Sequence, residues 1–327
     1  SLFCNSNSLS SLDLDYLTSL LTLECNRNIL TSLDLSKLTD ITSLNCNFNR
    51  LPSLDVSSLL DLNDLDCSNN QLLSLKVGGL TRLSTLNCNN NLLTALNINT
   101  LFNITFLNCN TNNFQSIQVT GLGKLKVLDV SRNQISTLDI NGLTTLQFLY
   151  CNNNKLVSLD VTNQTGLQFL FASNNLLKSL YIKNGSNEGA LLISGNPNLN
   201  YICADESEIE YVQEEIANNG YTNCFVNSYC SFVPGGNYYS IESLNKLDNN
   251  TNGCDALDGN FQNLKLAITD NASTTTFIPD LTGTNSYGVK EGTYTISPVL
   301  ENPNYYIISP SSTAVTFPDV TSPFSAS

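Results

Sequence analysis

Residues 23–35 read LECNRNILTSLDL, and the same frame returns as LNCNFNRLPSLDV at 44–56, LDCSNNQLLSLKV at 65–77, LNCNNNLLTALNI at 86–98 and LNCNTNNFQSIQV at 107–119. The step is 21 residues throughout. The cysteine slot holds Cys4, Cys25, Cys46, Cys67, Cys88, Cys109, Val130, Cys151, Ala172 and Ile193, and three residues later every unit carries asparagine, from Asn7 to Asn196. A fixed period of this length marks an array of small units, none able to bury its own leucines, so that stacking supplies the core. The stretch x-L-x-C-x alternates with period two, as a strand with one buried face does. Ten such strands in register predict one parallel sheet roughly 48 Å long.

The unit L-x-x-L-x-C-x-x-N-x-L-x-x-L-D-V-x-x-L-x-x resembles the leucine-rich repeat, in the 21-residue cysteine-bearing form of internalin J-like bacterial surface proteins. A second alternation, as in SLDL or TLDI, falls opposite the first and predicts short strands on the convex side. The asparagine reads as scaffold. Its amide can satisfy backbone groups that face inward where the chain leaves the strand. The cysteine shares the parity of the buried leucine and alternates with Val, Ala and Ile, which fits a packing residue with a reduced thiol. In-register parallel strands hold neighbouring cysteines at about 4.8 Å, against ~3.8 Å between the Cβ atoms of a disulfide, so pairing along the ladder is unfavourable, and a one-dimensional row does not converge on a metal.

The chain of 327 residues contains no His, Met or Trp, which removes His-based triads, His metal ligands and His general bases. With no paired-carboxylate cleft in view either, the expectation is a non-enzyme. The formal charge is −14, and residues 201–327 carry 15 acids against 3 bases. A net-acidic chain without a basic stripe argues against nucleic acid and against anionic membrane. No apolar run reaches the ~18 residues of a membrane span, so direct membrane insertion is not expected. No signal peptide is evident, and the start at Ser1, in mid-pattern, is expected to be a processed or truncated end.

The register also identifies the residues that face outward on the concave sheet. Early units place polar and acidic residues there, including Glu24, Asp64 and Asp66. From the sixth unit on, Phe106, Val127, Phe148, Tyr150, Phe169 and Phe171 gather on adjacent strands. A contiguous apolar patch of this kind marks an interaction site, and aromatic rings serve both protein hot spots and sugar stacking. Two readings stay open: a protein or glycan ligand on the concave face, or cover by another part of the same chain. The slot after the cysteine is mainly Asn, which could read hydroxyl groups or simply be solvated.

After NPNLNYICAD the pattern stops and an open solenoid needs a cap. Segment 205–218, DESEIEYVQEEIAN, predicts a helix with Asp205 as N-cap, Glu208 in a capping box, Ile209, Val212 and Ile216 on one face, and Gly220 beyond its end. From about 231, short alternating runs (YYSIESL, LKLAIT, TTTFIPDL, GTYTISPVL, YYIISP, AVTF) predict a small all-β sandwich. The expected domains are therefore a leucine-rich-repeat solenoid at 1–202, a helical cap at 203–230 and an immunoglobulin-like sandwich at 231–327.

KLDNNTNGCDALDG followed by NLKLAIT looks like the start of the prealbumin-like B-type domains of surface adhesins, and that resemblance implies a calcium loop at Asp248, Asn250, Asn252 and Asp255. Asn252 stands where an acid is usual, and Gly259 where an EF-hand places its bidentate Glu, so an EF-hand is excluded and weak binding is expected. A plain Asn/Asp-rich turn is the rival reading. The solenoid, the cap, CSFVPGGNYYSI and VLENPNYYIISPSSTAVTF together resemble exported surface proteins of flavobacteria-type bacteria. In an exported protein, Cys203 and Cys224, which flank the helix, are expected to pair, and Cys230 with Cys254. The function so implied is recognition or adhesion at the cell surface or outside it. The alternative is a structural spacer or a subunit of a large surface or secretion assembly.

Overall fold

The structure, a computed structural model, describes residues 1–228, 230, 239–249, 257–261, 264–270, 274–277, 284–300, 306–320, 322 and 324–326. The chain forms two compact units, Ser1–Leu177 with Asn184–Asn198, and Lys178–Lys183 with Leu199–Ser327.

In the first unit, ten short strands form one sheet: Leu2–Phe3, Thr22–Glu24, Ser43–Asn45, Asp64–Asp66, Thr85–Asn87, Phe106–Asn108, Val127–Asp129, Phe148–Tyr150, Phe169–Phe171 and Ala190–Leu192. All are parallel, and each residue pairs with the one 21 positions on, as Leu23 does with Leu44 and Phe148 with Phe169. The central leucine of each three-residue strand and the cysteine beyond it point inward. Leu23, Leu86, Leu107 and Leu149 are fully buried, and so are Cys25, Cys46, Cys67, Cys88, Cys109 and Cys151. These six thiols and half-buried Cys4 are free, as the packing reading requires.

The asparagines form the expected ladder. Asn49 Nδ2 donates to the carbonyls of Cys25 (3.0 Å) and Cys46 (3.1 Å), and its Oδ1 accepts from the Leu30 amide at 2.9 Å. The pattern repeats through Asn196, which donates to Ala172 and Ile193 and accepts from Leu177. From Asn28 onward each asparagine thus fastens backbone groups in two adjacent coils, groups that would otherwise be orphaned in the core.

Convex strands occur in some coils only: Ser53–Asp55 pairs with Ser74–Lys76, and Ser158–Asp160 is also extended. Elsewhere the S-L-D-V stretch runs directly into turns, and in coils of both kinds the recurrent aspartate closes the turn that follows. Asp34 Oδ1 accepts from the Ser36 amide at 2.9 Å and Asp160 Oδ1 from Thr162 at 2.9 Å, an Asx turn that closes the chain over the leucines. Those hydrogen bonds hold the Asp34 carboxyl below the usual range, and in Asp55 the Ser57 hydroxyl, then Lys76, bring it to about 2.

One regularity is not visible in residue type. The residue before each ladder asparagine has positive φ, 51–58° in Ser6, Arg27, Phe48, Asn69, Asn90, Thr111, Arg132, Asn153 and Asn174, and 70° in Gly195. The left-handed turn aims the ladder amide inward, at a cost of ~1–2 kcal/mol for an ordinary L-residue. Thr111, being β-branched, is the poorest occupant. Thr111→Asn, the residue found there in Asn90 and Asn153, is expected to raise stability by ~0.5–1 kcal/mol in urea unfolding. A loss of stability would mean that the Thr111 hydroxyl, bonded to Asn110 Oδ1 at 3.0 Å, outweighs the backbone strain.

In the second unit, Ser179–Tyr181, Tyr201–Cys203 and Phe225–Asn227 run parallel. The helix spans Ile209–Asn218 and buries Val212 and Ile216, and Gly220 follows with φ 71°. Its N-cap is Glu208 rather than Asp205, because residues 206–208 form a turn with the Glu208 amide bonded to the Asp205 carbonyl at 3.0 Å. As N-cap, Glu208 makes no side-chain bond to the first amides of the helix.

Farther on, Tyr239–Leu244 lies between Thr284–Val289 and Phe324–Ala326, and a four-stranded antiparallel sheet is ordered Thr274–Phe277, Lys265–Thr269, Gly292–Val299, Thr313–Phe317. The two small sheets share an apolar cluster of Ile241, Leu266, Ile268, Tyr287, Tyr294, Ile296, Val315 and Phe317. The expected strand YYIISP is absent over residues 306–310, where Ile307 is fully exposed and a proline breaks the run. Among the described residues no helix is long and apolar enough to cross a membrane.

Candidate recognition face

The strand alternation that buries Leu107, Leu128, Leu149 and Leu170 turns their neighbours outward in two rows. One row runs Phe106, Val127, Phe148, Phe169, Ala190 in register, the other Asn108, Asp129, Tyr150, Phe171, Leu192. The six sequence-predicted residues therefore meet on four adjacent strands, and all are half-buried. Phe148 and Phe169 stack with centroids 5.0 Å apart and planes within 7°, and Tyr150 and Phe171 at 4.8 Å and 13°. Phe169 and Phe171, on one strand, are also parallel at 6.4 Å. Four rings thus form one block, with Phe106 set apart by Val127. Leu192, 44% exposed at the end of the second row, extends the apolar surface and was legible from its slot.

The rest of the face is polar and self-satisfied in part. Asp129 Oδ1 accepts from the Ser131 amide and hydroxyl at 3.0 and 2.6 Å, and its Oδ2 from Asn110 Nδ2 at 2.7 Å. Asp66 is held the same way by Ser68 and Asn47. Asn89 Nδ2 donates to Asn87 Oδ1 at 2.9 Å. The asparagines at 47, 89 and 110 therefore close the strand ends rather than presenting free amides. The side-chain carboxylates of Glu24 and the exposed Asp64 have no hydrogen-bond or ion-pair partner among the described residues.

The thiols behind this sheet are chemically quiet. Burial pushes Cys25, Cys88 and Cys151 up to about 12, and Cys46, Cys67 and Cys109 well above the ordinary thiol value. A thiol held neutral is neither a nucleophile nor a ready metal ligand.

The disulfide differs from expectation. Cys203 bonds Cys230, with Cα atoms 5.5 Å apart, and Cys224 is a free, partly buried thiol. The parallel register explains the change: Tyr201 pairs with Phe225 and Cys203 with Asn227, so Cys224 lies at the far end of the strand from Cys203. The chain then turns beyond Asn227 and brings Cys230 back. The expected Cys230–Cys254 pair is excluded by this bond, and Cys254 lies outside the described residues. Of the expected calcium ligands, Asp248 is half-buried, while Asn250, Asn252 and Asp255 lie outside the described residues. Among the described residues no group of three or more Cys, Asp or Glu is placed to hold a metal ion.

No protein-family model matches the chain, and no curated protein matches it in sequence. Solved structures do match. The functional domain of InlJ from Listeria monocytogenes, which includes a cysteine ladder, is 24% identical with a TM-score of 0.52, over 90% of this chain and 77% of that one. A leucine-rich-repeat protein of Leptospira interrogans is 23% identical with a TM-score of 0.55, over 69% of this chain and 59% of that one. Ten in-register strands, the asparagine ladder and the buried cysteines agree with these likenesses, and the chain has the fold of a leucine-rich-repeat solenoid with a cysteine ladder.

Proposed function

We propose that the chain is a non-enzymatic recognition module that binds a protein partner through the aromatic half of its concave sheet. The observation that carries this reading is the block of four parallel rings, Phe148, Phe169, Tyr150 and Phe171, displayed on a rigid parallel sheet. Such a surface is preorganised, so little ordering entropy is lost on binding. Protein is favoured over glycan because the rings lean on one another face to face, whereas a sugar stacks on an open ring face. Placement at the bacterial cell surface or outside the cell belongs to the same proposal. It is supported by the Cys203–Cys230 bond, since disulfides persist in oxidising compartments. The small C-terminal sheets support an immunoglobulin-like spacer that holds the solenoid away from its attachment point.

The double variant Phe148→Ser/Phe169→Ser tests the reading. Cross-linked proteins captured by the wild type are expected to be lost, with affinity falling by roughly thirtyfold or more, the effect of removing a central aromatic pair. The melting temperature should fall by only a few degrees, because the rings are half-buried. A large loss of stability would assign the rings to a contact within the chain, and binding confined to a glycan array would replace the protein partner by a sugar. Unchanged capture would favour the spacer or assembly role.

A further inference from the structure

We infer that the partner of this face is a basic protein segment with an apolar anchor, its anchor against the ring block and its cations over the second to fourth strands. The inference rests on the recognition reading above and adds the chemistry of the partner.

The outward strand positions carry Glu24, Asp64, Asp66 and Asp129 and no lysine or arginine. Asp66 and Asp129 are held by a serine of their own coil and an asparagine of the preceding one, but the carboxylates of Glu24 and Asp64 have no partner among the described residues. The cations that come near lie at the sheet margins. Arg27 sits over the Phe48 ring at 5.5 Å, and Lys126 and Arg132 flank the strand Val127–Asp129. The outward strand positions are therefore negative toward the first strands and mainly apolar in the aromatic half, with Arg27 at the margin of the former and Lys126 and Arg132 at the margin of the latter. A bipartite partner is oriented by that gradient, its cations toward Asp64 and its neutral part toward Phe148.

Ring geometry points the same way. A cation seeks the negative face of a ring, and here the faces are covered by neighbouring rings, with Val127 and Ala190 bracketing one row and Asp129 and Leu192 the other. The exposed ring edges are weakly positive and suit a leucine or the face of an incoming aromatic ring. Net charge adds little at this face, because residues 201–327 carry 15 acids against 3 bases and hold most of the chain's −14; the attraction of a basic segment comes from Glu24 and Asp64 themselves.

Four register steps separate Asp64 from Phe148. At ~4.8 Å per strand that is roughly 19 Å, or about six residues of extended chain.

The probes are dye-labelled synthetic peptides read by fluorescence anisotropy on the full chain. One carries Lys-Arg-Lys, a spacer of six Gly/Ser residues and Leu-Trp-Leu. A second replaces the cations by Gln, and a third has a two-residue spacer. The six-spacer basic peptide is expected to bind about fivefold more tightly than either control, as two exposed ion pairs allow, with the advantage shrinking in salt. Glu24→Gln/Asp64→Asn should remove that advantage, and Phe148→Ser/Phe169→Ser should weaken all three peptides. Equal binding of the Gln peptide, or no effect of the carboxylate variant, overturns the basic partner while the recognition face stands. Binding indifferent to the ring variant overturns the face itself, and no binding of any peptide overturns the inference.

Discussion

Between about pH 9 and about pH 11 the solenoid is expected to unfold in one steep transition driven by its cysteine ladder. Six ladder thiols are fully buried, with values pushed to about 12 or well above the ordinary 9.0 by loss of solvation. Below the unfolded value both states keep the proton, and no stability depends on pH. Above it the unfolded chain releases protons that the folded chain retains, so stability falls as pH rises. Each thiol contributes about 1.4 kcal/mol per pH unit in this window, and six give roughly 8 kcal/mol per unit. A domain stable by ~5–15 kcal/mol is then unfolded within one or two units. Far-UV circular dichroism against pH measures the midpoint, and Cys88→Val/Cys109→Val, which copies the natural Val130, should move it upward. In iodoacetamide at neutral pH, half-buried Cys4 should react before the other ladder thiols. A midpoint unmoved by removing two thiols would transfer the alkaline transition to tyrosines.

The second large effect is expected at Asn112. Its Nδ2 donates to the carbonyls of Cys88, Cys109 and Asn110 at 3.1, 3.1 and 3.2 Å, and its Oδ1 accepts from the buried Leu93 amide at 3.0 Å. Asn112→Leu keeps the volume but leaves that amide unpaired and two inward carbonyls with one donor fewer. An unmade buried hydrogen bond costs ~1–3 kcal/mol, so the whole change should cost about 3 kcal/mol in urea unfolding. The same substitution at exposed Asn7, whose amide reaches only Cys4 and Asn5 of its own coil, should cost well under half as much. Equal losses at the two sites would mean that the ladder works through local turn geometry rather than by joining coils.

The solenoid was legible because a single register sets everything at once: leucine and cysteine inward, the preceding and following residues outward, asparagine at the turn. The six residues of the aromatic patch follow from the same count, since a parallel sheet with a uniform step places like positions side by side. Their stacking does not follow, because it depends on side-chain torsions that the strand pattern leaves free. The left-handed turn before each asparagine was hidden because Asn and Gly, which favour it, alternate there with Ser, Arg, Phe and Thr, which do not; at the latter the backbone requirement is met at a cost. Cys230 was assigned the wrong partner because the bond depends on how Phe225–Asn227 lies beside Tyr201–Cys203, a long-range register that spacing does not reveal. In the C-terminal unit, Thr284–Val289 carries Asn and Gly and reads poorly as a strand, yet pairing with Tyr239–Leu244 holds it extended.

The constant step of 21 residues also bears on how this molecule can change over generations. Because each coil is fastened to its neighbours through equivalent positions, duplication or loss of one whole unit can preserve every hydrogen bond of the ladder, whereas an insertion between a strand and its asparagine breaks it. Lineages are therefore free to adjust the separation between Asp64 and Phe148 only in jumps of one strand, about 4.8 Å each. Binding preference in such a molecule can be retuned by recombination between identical frames, in discrete increments, without a single substitution at the surface that makes contact.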